Sequence, residues 1–371
     1  MSETAVSGCA VRLEGVSKHF GATRVLDAIH LDVPPASFTV LLGQSGCGKT
    51  TCLRILAGLE TASSGRVLIG GRDVTTAPPA GRGVAMVFQS YALFPHLDVA
   101  ENIVFGLRAR GVARAERRAR LARAAEMLGI GHLLARRPAQ LSGGQQQRVA
   151  LGRALVAEAP VCLMDEPLSN LDAQLRADMR REIVGLQRRL GLTMIYVTHD
   201  QTEAMSMADQ VVVMREGRIE QCAAPAEIYE RPASSYVAGF IGAPPMNLFP
   251  LEQRGAGLVI RGTGGPALAA APARAVVGGV RPEALRLAAA DEAGAITARV
   301  LDREYLGADT VLTCAVGQGE LRLLARLPGQ VRLAPGSMIG LAADPGAISL
   351  FDAATGLRLG HAPSEPQHIE G

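Results

Sequence analysis

The chain has 371 residues, too many for one ordinary core and enough for two or three domains, and its 48% hydrophobic content supports packed interiors. Its 38 basic and 35 acidic residues leave a formal charge of only +3, which argues against a surface built to coat nucleic acid, and no nucleic-acid partner is expected. The six cysteines, Cys9, Cys47, Cys52, Cys162, Cys222 and Cys314, form no Cys-x-x-Cys pair and read as buried small hydrophobes.

From the N-terminus, Met1 to Gly8 lacks the basic start and apolar core of a secretory signal, so the chain is expected to stay in the cytoplasm. Residues 10–33 alternate as strands, with Val11, Leu13 and Val16 first, then Val25, Leu26, Ile29, Leu31 and Val33. Phe20 lies in the turn between them, where core packing and stacking on a base are both open. Phe38–Leu42 is an apolar, β-branched run that reads as a buried strand, and Thr51–Gly58 reads as a helix ended by glycine. Short strands follow at Arg66–Ile69 and Gly83–Phe88, the second ending at Gln89.

An arginine-rich helical pattern runs from Leu107 to Leu134, and its charges read as a solvated face. Ser142 has N-cap chemistry for a helix continuing through Val149, Leu151 and Leu155. Then come a strand Val161–Met164 ending in Asp165 and Glu166, a long helix with Leu171, Leu175, Met179, Ile183, Leu186 and Leu190, and a strand Thr193–Val197 ending at His199. Pro232, Pro244, Pro245 and Pro250 break the longest uncharged window, so no transmembrane helix is expected.

Past Tyr236 the pattern becomes short strands punctuated by glycine and proline, among them 274–277, 295–301, 311–316 and 321–327. This places a first domain over 1–239, with a helical subdomain at about 90–160, a β-rich domain resembling small oligonucleotide-binding barrels over 240–359, and a disordered tail over 360–371.

Gly43-Gln44-Ser45-Gly46-Cys47-Gly48-Lys49-Thr50-Thr51 fits the phosphate-loop pattern G-x-x-x-x-G-K-[ST] in its required strand, loop, helix context. Glycines let backbone NH groups and the helix N-terminus face phosphate oxygens, and Lys49 would reach the β and γ phosphates. Thr50, Gln89 and Asp165 are the candidate Mg2+ ligands, and Glu166 is the candidate base for an attacking water. Cys47, inside the loop, lies where positive partial charge would favour a thiolate, so a thiol reagent is expected to block nucleotide binding. Alternating strands and helices imply a parallel sheet whose carboxyl edge gathers the loop, Gln89, Asp165 and His199.

The stretch Leu141-Ser142-Gly143-Gly144-Gln145 is a second phosphate-recognising helix start, and one chain cannot easily bring two such surfaces to one phosphate. A head-to-tail dimer can. With this the sequence resembles the ATP-binding subunits of ABC transporters, over residues 10–235: Phe20 as the base-stacking aromatic, Gly43–Thr51 as Walker A, Gln89 as the glutamine loop, Leu141–Gln145 as the signature, Val161–Glu166 as Walker B, Ser169–Asp172 as the D-loop and His199 as the switch histidine. Phe20 stands where Tyr or Trp is frequent, and Gln44 where proline is frequent.

The resemblance implies two ATPs sandwiched between two copies of the chain, Ser142 and Gly144 touching the γ phosphate held by the other copy. It also implies two hydrophobic permease subunits, a periplasmic or extracellular solute-binding protein acting indirectly, and a peripheral position on the cytoplasmic face of the bacterial membrane. Residues 240–247, 279–283, 306–309, 326–329 and 350–356 resemble the importers of carbohydrate-like solutes, and most narrowly the ATPase of sn-glycerol-3-phosphate importers. Oligosaccharide, polyol, polyamine and phosphonate remain alternative cargoes. A soluble ABC ATPase of nucleic acid or ribosomes would carry a coiled-coil insertion between Gln89 and Ser142, or two cassettes, and the sequence has neither.

Overall fold

The structure is a computed structural model that describes residues 7–263, 265–270, 276–289, 292, 294–319 and 321–360. From residue 361 the expected tail lies outside the described residues, as do residues 1–6 and residues 274–275 of the expected strand. Two compact units divide the chain, Met1–Ala226 and Glu227–Gly371.

The first unit runs β1 (Val11–Phe20), β2 (Thr23–Val33), β3 (Phe38–Gly43), α1 (Lys49–Ala57), β4 (Ser64–Ile69), β5 (Arg72–Asp73), β6 (Val84–Val87), α2 (Val99–Ala109), α3 (Arg114–Met127), α4 (Gly143–Leu155), β7 (Val161–Asp165), α5 (Ala173–Leu190), β8 (Thr193–Thr198), α6 (Gln201–Met207), β9 (Gln210–Arg215) and β10 (Arg218–Ala223). A six-stranded sheet has the order β10-β9-β3-β8-β7-β6, and a four-stranded antiparallel sheet the order β2-β1-β4-β5. Only β10 runs antiparallel in the six-stranded sheet. In register, Val87 faces Met164, Asp165 faces Val197 and Thr198 faces Leu42, so four neighbouring strands end at one level.

Side chains alternate across this sheet. Leu41, Ile195, Val197 and Val212 share one core with α1 and the four-stranded sheet. Their neighbours Val40, Tyr196, Val211 and Val213 are also fully buried, as a parallel strand covered on both faces requires. Each such side chain contributes roughly 1.5–3 kcal/mol by leaving water. The arginine-rich pattern expected from Leu107 is in fact two helices, broken by Gly111 at φ 72, and α2 starts earlier at its Asp98 cap. Phe20 lies at the end of β1, and the turn begins at Gly21. Of the six cysteines four are buried, while Cys9 is half-buried and Cys222 exposed.

The unit boundary falls within α7 (Pro225–Glu230). The second unit continues with α8 (Ser235–Phe240), β11 (Asn247–Arg254), β12 (Gly257–Ile260), β13 (Ala269–Ala270), β14 (Val276–Val280), β15 (Arg286–Ala288), β16 (Ile296–Tyr305), β17 (Asp309–Val316), β18 (Leu321–Pro328), β19 (Met338–Ala342) and β20 (Ser349–Asp352). Two five-stranded antiparallel sheets, β13-β12-β11-β14-β20 and β15-β19-β16-β17-β18, share one apolar core. Short helix α8 contacts β11 and β14, and so packs with this unit.

The residues that carried the narrower resemblance do structural work here. Buried Arg281 donates to Tyr229 O at 2.7 Å and to the Ile241 carbonyl, and its guanidinium lies 4.0 Å from the Tyr229 ring centre. Asn247 pairs with the backbone of Leu324 through both amide atoms, at 2.8 and 2.7 Å. Arg326 forks onto Asp309 at 2.5 and 2.8 Å. Among the described residues no helix is long and apolar enough to cross a membrane.

Candidate functional site

β3 delivers the chain to Gly43, where a methyl group would come within 2.5 Å of Met214 O and 2.6 Å of Cys47 Sγ. Gly48 has φ 105, and a methyl there would meet Val25 O at 2.9 Å and Leu26 Cδ2 at 2.6 Å. Glycine is therefore required twice over at this turn. Helix α1 then begins with no side-chain cap and no acidic residue in its first turn, so its free NH groups and positive dipole end stand open to an anion. Buried Lys49 folds back over the loop, its Nζ donating to Gly43 O at 2.8 Å and Gln44 O at 3.0 Å. Gln44, Ser45, Gly46 and Thr50 are exposed, and Thr51 is half-buried. Cys47 is buried in the core against Gly43, 3.8 Å from the Lys49 ammonium, rather than lining the open face.

At the end of β7, Asp165 accepts a hydrogen bond from the Thr50 hydroxyl at 3.0 Å. Burial pushes the Asp165 carboxyl above its usual value; the Thr50 hydrogen bond opposes this, and the charge of Glu166 adds to it. A hydroxyl beside a partly desolvated carboxylate is an all-oxygen, hard donor pair that a hard divalent cation would satisfy, so these residues fit Mg2+.

Glu166 sits at φ 42, a left-handed backbone that costs a non-glycine residue about 1–3 kcal/mol. Its surroundings hold it there: its NH donates to Val197 O at 3.1 Å, and its carbonyl accepts from the Ser169 hydroxyl at 2.9 Å. One carboxylate oxygen, Oε2, lies 3.2 Å from His199 Nδ1 and 3.5 Å from Gln89 Nε2. The Asn170 amide donates to Gln89 O at 3.2 Å, tying the segment after β6 to the turn after β7. At the ends of β3, β8, β7 and β6 the hydrogen bonds thus form three groups, Lys49 with its own loop, Thr50 with Asp165, and Glu166 with His199 and Gln89, which the chain neighbours Lys49–Thr50 and Asp165–Glu166 join into one cluster.

Supports that the sequence reading missed lie beneath His199. Buried Glu203 accepts from Thr198 Oγ1 at 2.7 Å and Tyr196 OH at 2.8 Å, and Asp200 N donates to Thr198 Oγ1 at 3.0 Å. Burial, then the Glu203 charge, holds the Tyr196 phenol well above its usual range. Arg176 joins Asp200 at 3.5 Å to Leu171 O at 3.0 Å, linking this turn to the Ser169–Asp172 segment. The signal available in the sequence is an acidic residue in the first turn of a helix directly after His199, a position that complementing the helix dipole would explain equally well.

Three expected elements stand apart from this cluster. Ser142 and Gln145 form a reciprocal capping box at the start of α4, at 3.4 and 3.0 Å. Gly143 and Gly144 face Leu171 and Leu175, and among the described residues no hydrogen bond joins Ser142–Gln145 to the phosphate loop. Asp172 caps α5 by accepting from Leu175 N at 2.9 Å. Phe20 is 49% exposed with Lys18 Nζ 4.7 Å from its ring centre, so it is not a core residue.

A family model described as ABC transporter matches residues 26–169, and one described as TOBE domain matches residues 278–351. The sn-glycerol-3-phosphate import ATP-binding protein UgpC of Cereibacter sphaeroides is 47% identical over 94% of this chain and 99% of its own length. The sulfoquinovosyl glycerol transport ATP-binding protein SmoE of Agrobacterium fabrum is 46% identical over 93% of this chain and 98% of its own length. A solved dimeric bacterial ABC transporter cassette aligns with a TM-score of 0.53 at 28% identity, covering 58% of this chain and 98% of that one.

Proposed function

This chain belongs to the ATP-binding proteins of ABC transporters, and from that premise we propose that it powers import of sn-glycerol-3-phosphate, or a related glycerol phosphodiester, through separate permease subunits. ATP is the nucleotide of that family and its hydrolysis is the activity. The observation that carries the mechanism is that Thr50 bonds Asp165 and Glu166 reaches His199 and Gln89 beside the loop that holds Lys49, while Ser142–Gln145 stands apart from these residues.

In this reading the NH groups of Gly43–Thr51 and the Lys49 ammonium bind the phosphates. Thr50 and Asp165, with Gln89, would hold Mg2+, which neutralises charge on the phosphate oxygens when bound. Glu166 orients a water and takes its proton as the water oxygen bonds to the γ phosphorus and the bond to the β–γ bridging oxygen breaks, releasing ADP and phosphate. His199, sharing Oε2 of Glu166 at 3.2 Å, senses the γ phosphate. Phe20 stacks on the base.

Ser142, Gly143, Gly144 and Gln145 complete the ATP site of a second copy, and Asp172 lies at that junction. A dimeric cassette among the solved relatives supports this. The Ser142 oxygen can accept from Gln145 N while its hydrogen is donated outward. Closure of the two copies on ATP and reopening after hydrolysis would switch the permease subunits between two states. The loop after Gln89 would face those subunits, placing the protein peripherally on the cytoplasmic side of the membrane, with a solute-binding protein acting from the other side.

The cargo reading is supported by the relative named for sn-glycerol-3-phosphate import. Another glycerol-linked cargo is the second reading, favoured by a relative named for sulfoquinovosyl glycerol at nearly equal identity. Reconstituting the chain with its permease subunits and solute receptor, and measuring which solute stimulates ATP hydrolysis, decides between them. For the mechanism, Glu166→Gln should bind ATP, lose at least about a hundredfold in hydrolysis and accumulate as an ATP-bound dimer in size-exclusion chromatography. Turnover near the parent rate would remove Glu166 as the base.

A further inference from the structure

We propose that Arg153 is a positioning residue for Gln89, coupling the helix that begins at Ser142 to the loop that follows β6; the proposal rests on the roles of Ser142 and Gln89 given above. The loop turns directly after Gln89 through two non-glycine residues in left-handed backbone, Tyr91 at φ 59 and Ala92 at φ 47. Such a turn persists only where its surroundings over-determine it. Arg153 supplies that restraint, its guanidinium donating to Tyr91 O at 2.7 Å and Ala92 O at 2.6 Å. Among the described residues no carboxylate pairs with Arg153, so its charge is balanced by the two carbonyl dipoles of the strained turn. Arg153 is half-buried and Tyr91 buried, so the Tyr91 half of the contact is shielded from water while the Ala92 half stays exposed, and burial lowers the pKa of the guanidinium.

The second half of the same loop is held by a different helix. Fully buried Asn102 on α2 donates to Phe94 O, Leu97 O and Asp98 O at 3.1, 3.1 and 2.9 Å, and accepts from Phe94 N at 2.8 Å. Helix α4 packs against α2, α3 and β6. Arg153 lies about 16 Å along α4 from Ser142, at 1.5 Å rise per residue. A displacement of Ser142 toward a second copy's phosphate therefore carries the Tyr91 and Ala92 carbonyls with it. Gln89, fixed on its other side by Asn170 at 3.2 Å, is the residue that the movement re-aims.

The test compares full-length chains in a steady-state ATPase assay with parallel thermal melts. Arg153→Gln should lower kcat about tenfold while KM for ATP stays within about twofold, because the restraint acts on the chemical step and not on ATP capture. Ala92→Gly, which removes the steric cost of left-handed backbone, should restore at least about threefold of that loss. In a Gln89→Ala background Arg153→Gln should have no further effect on kcat, since one path is already cut. Arg153→Lys keeps a cation but not the two-pronged donor, and carries the same comparisons if the glutamine variant does not fold. Multiplicative losses in the double variant, or no recovery with Ala92→Gly, would overturn the proposal while leaving the role of Gln89 intact. A Gln89→Ala chain that hydrolyses like the parent would overturn the role of Gln89 and this proposal together.

Discussion

Two glycine-bearing helix starts in the first unit are built in opposite ways. Helix α1 begins uncapped after Gly48, whose φ of 105 and 2.9 Å approach to Val25 O leave room for nothing but glycine. Helix α4 begins with the Ser142–Gln145 capping box, and its own backbone does not demand its two glycines. A methyl group on Gly143 would meet only the tip of Leu171 at 3.2 Å, and one on Gly144 only the side chain of Leu175, nearest at 2.8 Å. Glycine in a helix is about 1 kcal/mol less favourable than alanine. The fold gives up that stability twice for contacts with Leu171 and Leu175, whose flexible ends could make room, so packing alone does not demand glycine there as it does at Gly48.

Breaking each start separately should therefore give different defects. The largest effect is expected at Lys49, buried inside the first start. Lys49→Ala should weaken ATP binding to the isolated chain about a hundredfold and reduce hydrolysis at least as much, by removing a charge-assisted phosphate contact. Ser142→Arg should leave ATP binding to a dilute, monomeric chain within about twofold, yet abolish ATP-induced dimerisation and hydrolysis. Equilibrium binding combined with light scattering separates the two. Weakened monomer binding in Ser142→Arg would mean that both starts serve one nucleotide within a single chain.

The glycines themselves sharpen the contrast. Gly48→Ala should cost about 2–4 kcal/mol in urea unfolding, the sum of left-handed strain and a backbone clash. Gly144→Ala should leave stability unchanged or raise it by up to about 1 kcal/mol, because Leu175 can turn aside and alanine favours the helix. Its hydrolysis should nonetheless fall, since a displaced Leu175 would shift the start of α4 and the adjacent Ser142.

Much of this was legible in the sequence because the first site is made of local patterns. A strand, a glycine loop and a helix identify Gly43–Thr51, and apolar runs place Asp165 and His199 at strand ends. What stayed hidden depends on long-range packing. Arg153 reads as one more helix arginine, yet its partners Tyr91 and Ala92 lie on the far side of two helices in sequence. Asn102 and Glu203 read as helix-surface polar residues, yet both are buried with their polar atoms satisfied by backbone or hydroxyl groups. The burial of Cys47 is equally a tertiary fact, since its thiol lies against Gly43. In the second unit, the motif residues Arg281, Asn247 and Arg326 turn out to fasten strands and helix ends. They record kinship with a group of importers through contacts that hold this unit together.

The smallest expected effect belongs to Phe20, which lies outside both helix starts. Its ring is 49% exposed, with the Lys18 ammonium 4.7 Å from its centre. Lys18 is itself fixed by Glu60 at 2.7 Å and Thr61 O at 2.8 Å, so the ring is oriented rather than loose. Stacking on a base is worth about 1–3 kcal/mol, and the exposed setting favours the lower end. Phe20→Ala should therefore raise KM for ATP about fivefold with kcat unchanged, and Phe20→Tyr should match the parent. The hydrogen bond from Lys18 holds the Glu60 carboxyl below its usual range. A carboxyl lowered in the folded chain stabilises above its unfolded value and loses that contribution as pH falls through the lowered one, so the Phe20 effect should stay flat from about pH 6 to 8 and shrink only in acid. If Phe20→Ala instead lowered the melting temperature and left KM alone, the ring would be a brace for β1, and base recognition would have to come from elsewhere in the first unit.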